Sequence, residues 1–115
     1  MIKLTKIQVN PDSDADHSST IEEYRKEQDK VVMGEPHEDK SPPVEYYIIG
    51  EMIGALEEGK SLIVDRRIRN GVKIMGTFMS SPIVSIEKVG GDKTYITTNN
   101  SVYLMEYVNA EDFEL

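Results

Sequence analysis

The sequence predicts a mainly β fold: a small antiparallel barrel or curled sheet of SH3-like or OB-like size, preceded by an acidic leader that is partly helical or disordered. Three observations predict it. Asn70-Gly71 stands between two apolar-rich runs, Ser61–Arg69 and Val72–Met79. A type I′ turn needs positive φ at both central residues, so Asn-Gly in that setting is a strong hairpin signal. Three more β-branched runs, Ile83–Val89, Thr94–Thr98 and Ser101–Val108, follow at about ten-residue spacing with turn residues between them. Closing such a sheet on itself removes the exposed edges that these residues would otherwise offer to other chains.

The elements follow in order. Ile2–Val9 alternates apolar and polar residues, with a slip at Thr5-Lys6, and reads as a strand ended by Asn10-Pro11. Ser19…Glu22 and Thr20…Glu23 are alternative capping boxes, opening a weakly amphipathic helix over 20–31. Residues 34–43 hold three prolines and read as a linker. These parts make up a leader, 1–43, ahead of a β domain, 44–108, and an acidic tail, 109–115. Val44–Ile49 reads as a strand, followed by a short helical turn before Gly59-Lys60. Ser80-Ser81-Pro82 is expected to leave the ladder, because proline has no N–H. Gly90–Lys93 and Asn99-Asn100 are further turns, the second because Asn tolerates the left-handed region.

Composition narrows the function classes. The chain has 115 residues, 38% apolar and 30% charged, enough for one small core. It has no cysteine, so neither a disulfide framework nor a thiolate metal site can form. No apolar run approaches the roughly 18 residues of a membrane span, and the N-terminus lacks a secretory apolar centre. A cytoplasmic location is expected. Net charge is −8, but residues 59–93 carry seven basic against three acidic side chains, a basic island between acidic flanks.

Arg66, Arg67 and Arg69 precede the Asn70-Gly71 turn, and Lys73 returns across it. On a regular strand Arg67 and Arg69 share one face and Arg66 the other. Such a ribbon tip would suit phosphate or carboxylate groups; the competing reading is edge protection or pairing with the acidic leader. Tyr46, Tyr47, Tyr95, Tyr103 and Tyr107 are candidates to stack bases beside that tip, Tyr95 foremost, but half-buried strand residues with a wet hydroxyl are the preferred reading. Asp12, Asp14, Asp16 and Glu23 fall at EF-hand-like positions 1, 3, 5 and 12. His17 replaces the glycine that loop needs and no incoming helix precedes it, so a solvated acidic loop is the preferred reading and no metal is assigned. His17 and His37 both read as solvated. No nucleophile elbow, phosphate-binding loop or Cys/His pair is present, so no catalytic residue and no cofactor are assigned.

Gly59–Tyr107, through Ser61-Leu-Ile-Val-Asp-Arg66, Arg69-Asn-Gly71, Gly76-Thr-Phe, Ser81-Pro-Ile-Val-Ser-Ile86 and Asn100-Ser-Val-Tyr103, resembles small uncharacterised accessory proteins of tailed phages and prophages. The resemblance implies a host-cytoplasmic β domain with no assigned chemistry. The expected function is a non-enzymatic binding protein, phage-encoded, that engages a host macromolecule, most readily a host protein that it could inhibit. The alternatives are nucleic-acid binding through the Arg66–Arg69 ribbon, and a virion or assembly component that forms homo-oligomers.

Overall fold

In the computed structural model, residues 1–13, 20–23, 43–109 and 111 are described. Six strands form a closed barrel: β1 (Ile2–Val9), β2 (Tyr47–Ile53), β3 (Ser61–Arg69), β4 (Val72–Gly90), β5 (Lys93–Thr98) and β6 (Ser101–Tyr107). All ladders are antiparallel, each strand pairs with the next, and β1 closes the ring against β6 from Ile2↔Tyr107 to Val9↔Ser101. The mainly β barrel predicted from the sequence is therefore the fold. Strand 2–9, grouped with the leader above, is a wall of the barrel: it lies between β2 and β6, and the ring cannot close without it.

Period-two patterning sends one side chain set inward. Ile2, Leu4, Tyr46, Ile48, Leu62, Val64, Phe78, Ile83, Ile96, Tyr103 and Met105 form one buried cluster. Phe78 stands edge-on to Tyr103 at 6.0 Å between ring centroids, a favoured aromatic geometry. Ile21, beside the Thr20 hydroxyl that accepts the Glu23 N–H at 3.2 Å, packs against this cluster from outside the strands. The rest of the predicted 20–31 helix, from residue 24 on, lies outside the described residues.

Register shifts bend the sheet enough for six strands to close, as bulges do in small barrels. One lies in the middle of β4. Ser61 pairs with Pro82 but Ile63 with Met79, so Ser80 and Ser81 together oppose Leu62. The buried Ser80 hydroxyl accepts the Leu62 N–H at 2.8 Å and donates to the Ser81 carbonyl at 2.7 Å. β4 thus runs unbroken through Pro82, where the sequence suggests an exit from the ladder; it changes partner there from β3 to β5. Proline is tolerated because the ladder is already shifted at that point.

Local differences have local causes. Glu45 adopts φ 80°, so Val44-Glu45 is a turn and β2 begins at Tyr47 rather than Val44. No helical turn follows β2; residues 54–60 are an irregular loop. Asn70 and Gly71 have φ 48° and 85°, the signs a type I′ turn requires. Asn99-Asn100 is a turn without left-handed residues. The Thr98 hydroxyl holds it instead, accepting N–H groups from Asn100 at 3.3 Å and Ser101 at 3.1 Å.

Candidate binding faces of the barrel

The arginine ribbon expected from sequence does not form a converging tip. Gly50 pairs with Arg66 while the preceding residue, Ile49, pairs with Ile68, which leaves Arg67 as an extra residue in β3. Alternation therefore slips by one, and Arg69 shares the face of its partner Ile48, inside the barrel, where it is 2% exposed. Arg66 also turns inward. Its Nε donates to the Ile74 carbonyl at 3.1 Å, and its guanidinium covers Gly76, where any Cβ would come within 2.7 Å of Nη2. Arg67 faces outward and pairs with Asp65 at 3.1 Å. Lys73 is exposed on β4, opposite Ile68.

Glycine explains the bulge. A Cβ at Gly50 would overlap the Asp65 carbonyl oxygen and lie 3.0 Å from the Arg66 Cα. Only glycine lets β2 and β3 approach this closely. The turn that follows is tied down: the Tyr47 N–H donates to Asn70 Oδ1 and the Asn70 N–H to the Tyr47 carbonyl, both at 3.0 Å.

Tyr95 is half-buried on β5 between Glu87 and Leu104, and none of the four basic residues neighbours it in register. Asp12 is exposed, its N–H donating to Asn10 Oδ1 at 3.0 Å, and Glu23 is exposed beside Thr20. Asp14, Asp16, His17 and His37 lie outside the described residues. Among the described residues no three His, Cys, Asp or Glu side chains gather as metal ligands, and no helix is long and apolar enough to cross a membrane.

The structure brings forward two features that the sequence reading passed over. The first is an apolar row across the outer face of β2, β3 and β4. Ile53, Ile63 and Met79 are consecutive partners in register, and Met75 lies on the same side of β4 as Met79. Ile53, Met75 and Met79 are 50%, 64% and 65% exposed. Their signal in the sequence is plain in retrospect: Met75 and Met79 alternate with Ile74, Gly76 and Phe78, so one apolar set must face out. The second is a cleft of about 420 Å³ at the barrel mouth, lined by Met52, Leu56, Ile86, Met105 and Tyr107 with Lys88 and Lys93 beside them.

No protein-family model matches the chain, and no curated protein or solved structure is significantly similar to it.

Proposed function

We propose that this is a non-enzymatic binding protein, phage-encoded, that docks a host protein on the outer face of β2, β3 and β4. One observation carries the reading: Ile53, Ile63 and Met79 are neighbours in register across three strands on the outside of the barrel, and exposed Met75 lies further along the same face of β4. Large exposed apolar patches on a small domain mark interaction surfaces. Methionines suit a face that must adapt to its partner. Net charge −8 makes a second copy a poor occupant, because two such chains repel, and favours a partner with a basic surface. Direct nucleic-acid binding is the weaker reading. It needs several cations on one face, and Arg69 is buried while Arg66 is half-buried and tied to the Ile74 carbonyl.

The test is affinity capture from bacterial host lysate with wild type, with Met75→Asp/Met79→Asp, and with Lys88→Gln as a control on the far hairpin. The expected result is one host protein retained by wild type and control and lost by the double variant. Equal retention by all three, or no retained protein, overturns the proposal. Light scattering that shows a concentrated wild-type dimer dissociated by the double variant would give the face to a second copy instead.

A further inference from the structure

The geometry points to a second, independent site: the mouth of the barrel between β2, β4, β5 and β6 binds a small amphipathic anion, an aliphatic chain ending in a carboxylate. Its apolar lining is Met52, Leu56, Ile86 and Met105, flexible thioethers and branched aliphatics, with the Tyr107 ring as the one aromatic group beside them. Met52, Leu56 and Ile86 pack directly on the core cluster, so the cleft is an inward extension of solvent against the barrel's own apolar interior. Its volume of about 420 Å³ falls in the range of small-molecule sites, roughly 300–1,000 Å³. Four flexible or branched apolar side chains against a single ring give a slot that an alkyl chain can fill, with the methionines adapting to it.

The polar groups stand at the rim. Lys88 lies opposite Thr94 in register, and Lys93 follows the Gly90-Gly91 turn, so both ammonium groups sit at the same end of the β4–β5 hairpin. Both lysines are exposed. Among the described residues neither makes an ion pair, although Glu106 is the register partner of Lys93. By contrast Lys60 and Arg67 are paired with Glu57 and Asp65. In a chain where acids outnumber bases, two unengaged cations beside an apolar slot are complementary to a ligand with its charge outside and its chain within. The cleft is concave and small, which sets it apart from the flat outer row proposed for protein docking. Neither site depends on the other.

The experiment uses the full chain labelled with ¹³C-methyl methionine and titrated with decanoate below its micellar concentration. The six methionines supply internal controls. Met52 and Met105 should shift saturably, while Met75 and Met79 on the outer wall stay still. Lys88→Gln/Lys93→Gln should weaken decanoate at least fivefold and leave decanol unaffected; both positions are exposed, so the fold is not at risk. Absence of shifts, or shifts at Met75 and Met79 equal to those at Met52, would overturn the site. Decanol binding as tightly as decanoate, with no effect of the lysine changes, would overturn the anionic head group.

Discussion

Lys6 offers the sharpest test of how this barrel is built. It follows Ile2 and Leu4 on the inner face of β1, opposite Tyr103, and is 0% exposed. Burial lowers its pKa from 10.5 to about 8, because the charged form loses its hydration. A displacement of that size corresponds to about 3 kcal/mol against the ammonium. Relaxation and water at a barrel end reduce it, and a cost of about 2 kcal/mol is expected. The sign follows from proton counts. Below about pH 8 Lys6 is charged in both folded and unfolded chains, and the full cost is present. Between about 8 and 10.5 the native state has released the proton that the unfolded state still holds, so stability rises with pH. Above 10.5 both states are neutral and the cost has gone. Lys6→Met keeps the length and apolar stem while removing the charge. Urea unfolding at about pH 7 should show the variant more stable by about 2 kcal/mol, and at about pH 10 by less than about 1 kcal/mol. Comparing the two proteins at each pH cancels the tyrosines and the other lysines. A gap that does not change with pH, or a variant less stable than wild type at pH 7, would refute the assignment of a buried, desolvated ammonium.

Two further changes probe the register shifts. Ser80→Ala removes the acceptor of the buried Leu62 N–H, and should cost about 1–3 kcal/mol in urea unfolding; a loss below about 0.5 kcal/mol would mean that the hydroxyl does not stand in for the ladder at that bulge. Gly50→Ala drives a Cβ into the Asp65 carbonyl, a backbone group that cannot swing aside, and should cost about 3 kcal/mol or more; a Tm within a few degrees of wild type would contradict the close approach of β2 to β3.

Much of the fold is legible in residue order because the signals are local. Asn70-Gly71 specifies its turn through backbone φ, and period-two runs mark β3, β5 and β6. What was not legible depends on closure. Apolar Ile7 is exposed and charged Lys6 is buried. The sequence suggests a slip at Thr5-Lys6, which would return Ile7 to the interior; the shift falls instead between Lys6 and Gln8, so Lys6 keeps the alternation of Ile2 and Leu4 and lies inside. The role of β1 as a wall is equally invisible, since nothing in Ile2–Val9 says that it pairs with residues about a hundred positions away. Pro82 looks like a strand breaker until β4 is seen to change partners there.

The placement of the arginines depends on the same kind of long-range constraint. Residues 66–69 look like a cationic tip only if β3 alternates without interruption. The bulge at Arg67 is imposed from the neighbouring strand, by the missing side chain of Gly50 about seventeen positions earlier. Once alternation slips, Arg69 is carried into the interior beside Ile48, and Arg66 is spent on the Ile74 carbonyl and the bare backbone of Gly76. The same ladder shows what the outer wall keeps. Ile53, Ile63 and Met79 line up across three strands, and Glu51, the Arg67–Asp65 pair and Lys73 carry charge beside them. A surface built this way discriminates by shape and apolar contact, with a few charges to set orientation. On the docking proposed above, lysate capture should fail on Met79→Asp and persist on Arg67→Ala, whereas a phosphate-binding surface would show the opposite order.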